Sequence, residues 1–171
     1  RTPAVSTDGS FVDHTRGSHS AKGLRVAILA SRFNVDITER LVAGALACLD
    51  EHGGARDDVE VVHVPGAWDL PPTAALIVRL GRHDAIVALG CVIRGETAHF
   101  DFVCAEASAG LGAVARSASM PVLFGVLTTD DHAQAMARAG DGKDNKGYEA
   151  ALAALEMVSV YGALEDGLEG G

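Results

Sequence analysis

With 171 residues, 48% of them hydrophobic and only 5 Pro, the chain has the length and composition of one globular domain with a sizeable core. A formal net charge of −9 excludes an electrostatic grip on nucleic acid or on an anionic membrane surface, because both need clustered Lys and Arg. The three cysteines, Cys48, Cys91 and Cys104, are odd in number and form no C-x-x-C pair. That excludes a disulfide framework and a zinc knuckle, and fits a reducing intracellular compartment. No apolar run reaches the roughly 18 residues of a membrane span. The cytoplasm is the expected location, with organellar import left open because the chain begins at Arg1 rather than Met.

Residues 1–22 are rich in Ser, Thr, Gly, His and charge without an apolar period, and read as a tail that is ordered only if something covers it. From Leu24 to Ser31 runs a short β-type segment. After Arg32-Phe33-Asn34, a helical pattern takes over at Ile37, Leu41, Val42, Ala45, Leu46 and Leu49. Gly53-Gly54 stops that helix. The alternation repeats as a strand over Val59–Val64, a helix from Pro71 to Gly81, a strand over Ala85–Ile93, a helix from His99 to Ser117 and a strand over Val122–Thr128. Two further helices are expected at Asp130–Ala139 and Asn145–Gly162. Strands apolar on both faces, separated by helices, predict a parallel sheet covered on both sides. The fold class is therefore α/β, a three-layer α/β/α sandwich on a four-stranded parallel sheet. One domain spans 23–164, and residues 165–171 form a C-terminal tail.

Ligands of such sheets sit beyond the carboxyl ends of the strands. The segments following the strands are Ser31-Arg32-Phe33-Asn34, Pro65-Gly66-Ala67-Trp68-Asp69, Arg94-Gly95-Glu96-Thr97-Ala98-His99 and Thr128-Thr129-Asp130. The third leads a strand through a glycine turn into a helix, whose free backbone N–H groups and the Thr97 hydroxyl suit a phosphate monoester. An ordinary capped helix is the competing reading. Neither G-x-G-x-x-G nor G-x-x-x-x-G-K-[ST] is present, so a dinucleotide or nucleoside triphosphate is not indicated. His99, at the positive end of the helix dipole, is a candidate to accept and donate a proton. Phe33 and Trp68 are rings that could stack on a planar heterocycle, with Asp69 accepting from hydroxyls; plugging a loop against the core is the alternative. Arg138, followed by Lys143 and Lys146, supplies positive charge near a chain turn or simply a solvated helix end. The histidines show no H-x-x-x-H or H-E-x-x-H spacing, and no metal is expected. The cysteines read as core thiols, and no Gly-x-Ser-x-Gly elbow occurs. The remaining chemistry is proton transfer on a bound small molecule.

Taken together, Ser31–Asn34, Val64–Pro71, Gly90–Phe100, Phe124–Thr129, Arg138–Gly140 and Asn145–Gly147 resemble the lumazine synthases, in order and over about Leu24 to Val160. The resemblance implies a flavodoxin-like fold. It also implies condensation of 5-amino-6-(D-ribitylamino)uracil with 3,4-dihydroxy-2-butanone 4-phosphate to 6,7-dimethyl-8-ribityllumazine, with release of phosphate and water and without cofactor or metal. By the same resemblance Phe33 stacks on the pyrimidine, and Ala67, Trp68 and Asp69 with Cys91, Val92 and Ile93 line the ring and ribityl site. Glu96, through its main-chain N–H, Thr97 and Arg138 hold the phosphate, and His99 donates the proton. Phe124 comes from a neighbouring subunit, and Asn34 and Lys146 are accessory. Most relatives carry Glu where this chain has Asp69, so weaker or water-bridged contact to the ribityl hydroxyls is expected there. A homo-oligomer is implied, a pentamer or twelve pentamers in a 60-subunit icosahedral shell. The short Gly140–Gly147 connection favours the shell, and riboflavin synthase is a candidate partner. Two readings compete: a flavin- or lumazine-binding shell protein with weak catalysis, and a flavodoxin-like electron carrier, which the lack of a hydroxyl-rich phosphate loop after the first strand disfavours.

Overall fold

The centre of the molecule is set by two strands that are buried along almost their whole length. They are β1 (Val26–Ser31) and β3 (Ala85–Ile93), in a parallel sheet ordered β2-β1-β3-β4 with β2 (Val59–Val64) and β4 (Val122–Thr129) at its edges. This is a computed structural model, and it describes residues 14–169; residues 1–13, most of the expected tail, and 170–171 lie outside the described residues. Alternation along β1 feeds two apolar layers. Val26, Ile28 and Ala30 pack with Ile37, Leu41 and Leu155 on one face, while Ala27 and Leu29 pack with Leu70, Ala74 and Leu111 on the other. The helices are α1 (Val35–Glu51), α2 (Leu70–Leu80), α3 (His99–Ser117), α4 (His132–Arg138) and α5 (Lys146–Glu169). Among them α1 and α5 cover the first face, and α2 and α3 the second. The three-layer α/β/α expectation holds.

Differences at the element ends have local causes. α5 continues through Gly162 and Gly167 to Glu169, because Ala163, Leu164 and Glu165 are good helix formers that offset the handicap of roughly 1 kcal/mol per glycine. It thus crosses the 164/165 boundary expected between domain and tail. α4 begins two residues later than expected because Asp131 caps it, accepting from the Gln134 amide at 2.8 Å, while the Gln134 side chain accepts from the Asp130 amide at 2.8 Å. Packing also begins before Leu24. Ala21 is buried and donates its N–H to His52 O, and the Ser18 amide reaches Ser159 Oγ on α5 at 3.0 Å.

The seam between α1 and α5 is polar at one point. Tyr148 is buried and donates its hydroxyl to Glu51 Oε2 at 2.8 Å. That bond to a carboxylate, with burial adding to it, pushes the phenol from 10.0 up to about 12. The folded state favours the neutral phenol, so its contribution is full below the ordinary value of 10.0 and is lost as pH rises towards about 12. Tyr148→Phe is expected to flatten the fall of Tm with pH in that alkaline window, as followed by circular dichroism; an identical slope in the variant would contradict this role.

Candidate active site

The tips of β1, β2 and β3 converge on a hollow of about 450 Å³ lined by Phe33, Gly66, Ala67, Trp68, Cys91, Val92, Ile93, Gly95, Thr97, His99, Phe100 and Val103. Each wall has a sequence cause. Phe33 precedes Asn34, which takes a left-handed conformation (φ 59°, ψ 53°) that Asn tolerates better than most residues. The Asn34 carboxamide donates to Cys91 O at 2.9 Å, tying the tip of β1 to that of β3. Asn34 therefore acts on the scaffold of the hollow. The Phe33 amide donates to Pro65 O at 3.2 Å, so the segment after β2 backs the segment after β1. Phe33 and Trp68 stay 71% and 57% exposed, which is unusual for large rings unless something covers them.

His99 opens α3 on the rim of the hollow and is exposed. The Thr97 hydroxyl lies 3.4 Å from its amide. Amides of the first helical turn have no intrahelical acceptor and carry the positive end of the dipole, so an anion beside Gly95 and Thr97 meets donors and favourable charge. Sequence reasoning does not single out Arg94, which braces this turn. Its guanidinium stacks 4.4 Å over the Phe100 ring, bonds Asp130 at 3.0 Å and reaches Asp101 at 3.5 Å, and its amide donates to Thr129 O. A cation between two carboxylates, flanking an aromatic at helix position two, is the signal that could have found it.

Cys91 is 2% exposed although it borders the hollow, and burial pushes its thiol up to about 11. A thiol so placed stays protonated near neutral pH and does not serve as a nucleophile. Among the described residues no group of three or more His, Cys, Asp or Glu is disposed to hold a metal.

Six of the expected site residues do not line this hollow: Asn34, which braces it from behind, and Asp69, Glu96, Phe124, Arg138 and Lys146. Glu96 is exposed beside it, and only its neighbours Gly95 and Thr97 line the wall. Phe124, Arg138 and Lys146 share a second hollow of about 420 Å³ along the open edge of β4, with Thr128 and Glu149. Within one chain Arg138 therefore lies apart from Glu96 and Thr97. The reason is geometric: α4 leaves the tip of β4 and runs seven residues, about 10 Å at the helical rise, and carries Arg138 to the sheet edge. There Arg138 Nη1 bonds Gln134 O at 3.0 Å and Lys146 Nζ pairs with Glu149 at 2.7 Å. Asp69 is half-buried and also does not line the first hollow; its carboxylate accepts from the Gly66 amide at 3.0 Å.

Known proteins match this sequence over most of its length. Residues 23–161 fit the family described as 6,7-dimethyl-8-ribityllumazine synthase. The protein of that name from Chlorobaculum tepidum is 47% identical over 150 residues, covering 88% of this chain and 97% of that protein. The one from Salinibacter ruber is 48% identical over 152 residues, covering 89% and 97%. That from Chlorobium phaeobacteroides is 48% identical over 150 residues, covering 88% and 97%. With the fold, the strand-tip hollow and this extent of identity in agreement, the chain belongs to the 6,7-dimethyl-8-ribityllumazine synthase family.

Proposed function

We propose that this protein condenses 5-amino-6-(D-ribitylamino)uracil with 3,4-dihydroxy-2-butanone 4-phosphate to 6,7-dimethyl-8-ribityllumazine, releasing phosphate and water, as a transferase-type enzyme of riboflavin biosynthesis. The observation that carries the reading is that Phe33, Thr97 and His99, which come from three separate segments of the sequence, line one hollow. Phe33 and Trp68 offer faces for the flat pyrimidine, and Ala67, Cys91, Val92 and Ile93 supply the apolar wall. The turn at Gly95 and Thr97 receives the phosphate. Attack of the uracil amine on the ketone expels one water through an imine, elimination expels phosphate, and ring closure expels a second water. Each step moves a proton, the task given to His99. Departing phosphate needs a stabilised anion, the task of the Thr97 turn.

A single chain leaves Phe33 and Trp68 uncovered and Arg138 elsewhere. A ring of identical copies resolves both, with the β4 edge of one protomer, carrying Phe124, Arg138 and Lys146, laid over the strand-tip hollow of the next. The pentamer, and the icosahedral shell of twelve pentamers, are assemblies of this kind. The native mass distinguishes them, and co-elution with riboflavin synthase tests that partner.

The test of activity is direct. Purified protein given both substrates is expected to form fluorescent lumazine with stoichiometric phosphate; no product, together with tight flavin binding, would instead favour a binding protein. Arg138→Ala is expected to raise KM for the phosphate substrate by at least roughly tenfold, in keeping with loss of one charge-assisted contact of about 1.5–3 kcal/mol, and to leave KM for the uracil unchanged. Equal weakening for both substrates would contradict that assignment.

A further inference from the structure

The carboxylate of Asp69 sits one residue after Trp68 and immediately before α2, where a helix-capping residue would bond the second or third amide of the helix. Those positions are Pro71 and Pro72, which have no N–H. The side chain makes no cap bond to α2 and turns back instead, accepting the Gly66 amide at 3.0 Å, while the Asp69 amide donates to Gly66 O at 3.0 Å. The two bonds close the turn from Gly66 to Asp69 reciprocally. The Asp69 carbonyl is also engaged, accepting the Thr73 hydroxyl at 2.8 Å. On the other side of the turn, Pro65 O accepts the Phe33 amide and Val64 O the Arg32 amide. Gly66, Ala67 and Trp68 line the hollow and Asp69 does not.

Resting on the function proposed above, we infer that Asp69 is a positioning residue: its carboxylate locks the turn that holds Trp68 on the hollow it shares with Phe33, and so fixes the site for a flat ring, while the polyol is gripped by other groups. Exposed rings on turns keep a defined separation only if the turns themselves are held. Here the only side-chain hold on the Gly66–Asp69 turn is this carboxylate, beside the backbone bond from the Asp69 amide to Gly66 O, and the hold on the other side is the amide of Phe33. The affinity it governs is that of the ring, with or without a ribityl chain attached. This differs from the expectation for a carboxylate that bonds ribityl hydroxyls, whose removal would affect the polyol alone.

Trp68 is the only tryptophan in the chain, so its emission reports the turn in the ligand-free protein. Three variants separate the readings: Asp69→Ala, which removes the acceptor; Asp69→Asn, which retains one; and Asp69→Glu, which lengthens the carboxylate. The ligands are the full uracil substrate and 5,6-diaminouracil, the same ring without the polyol. Asp69→Ala is expected to shift Trp68 emission without ligand and to weaken both compounds by the same factor, roughly tenfold, as loss of preorganisation does. Asp69→Asn should stay near wild type, and Asp69→Glu should bring no selective gain for the ribityl compound. An unmoved Trp68 spectrum in Asp69→Ala, a loss confined to the ribityl compound, or a selective gain in Asp69→Glu overturns the assignment. If wild type binds neither compound, the functional reading falls, while the emission comparison still decides the role of Asp69.

Discussion

Replacing His99 by alanine is expected to lower turnover by about 100-fold, the lower end of what a positioned acid–base group contributes, and to leave assembly and folding unchanged. The imidazole stands on the rim of the strand-tip hollow, at the first residue of α3, and is exposed. Its removal leaves no core cavity, so the loss should fall on kcat with little change in the affinity for the uracil. Single-turnover measurement with both substrates reads this directly. An unchanged rate would assign proton transfer to another group or to water. The effect should also be independent of Arg94, which braces the same turn through Phe100 and Asp130 without touching the reacting atoms.

Asn145 is the second position where one side chain carries a large effect. It is 3% exposed and satisfies all its polar atoms internally: Nδ2 donates to Arg40 O at 3.0 Å and Gly140 O at 2.9 Å, and Oδ1 accepts from the Gly147 and Tyr148 amides at 2.8 and 3.1 Å. One carboxamide thus joins α1, the 139–145 connection and the first turn of α5. Gly44 makes room for it, since a side chain there would strike the carboxamide, and Gly147 lets α5 approach the backbone of α1 at Leu41. Asn145→Ala removes all four bonds, leaves the buried Gly147 and Tyr148 amides without an acceptor, and is expected to cost roughly 3 kcal/mol, a fall of about 10 °C in Tm. Asn145→Asp should be at least as damaging, because a carboxylate has no donor for the two carbonyls and sets negative charge against them. A calorimetric Tm for Asn145→Asp equal to wild type would contradict this account. Lys146 follows Asn145 and Arg138 precedes the same connection, so both variants should also weaken the phosphate substrate.

Much of this architecture is legible in the residues, and the remainder is hidden for identifiable reasons. The ends of β2, β3 and α3 agree with expectation because Val59–Val64 and Ala85–Ile93 are unbroken β-type runs and His99–Ser117 is bounded by distinct turn signals. α4 and α5 differ at their ends because a side-chain cap and a local majority of helix formers decide them, and neither shows as periodicity. The hollow around Phe33, Thr97 and His99 follows from one topological rule, that parallel strands deliver their following segments to one sheet edge. The location of Arg138 does not follow from that rule, since it depends on the length and direction of α4. Nor does the redirection of Asp69, which depends on the two prolines behind it. Asn145 reads in sequence as an ordinary helix start, and only the packed structure gives it four partners.

The proposed ring assigns the catalytic hollow to two protomers, His99 from one and Arg138 from the next. Unfolding His99→Ala and Arg138→Ala proteins together and reassembling them as a mixture tests it most directly. With the phosphate substrate held well below KM, so that Arg138→Ala is slowed as well as His99→Ala, random mixing in a ring joins an intact His99 to an intact Arg138 at about one interface in four, and activity should return towards a quarter of wild type from parents at roughly a tenth and a hundredth of it. Mixed assemblies of normal mass with no more activity than the average of the separate variants would contradict the account.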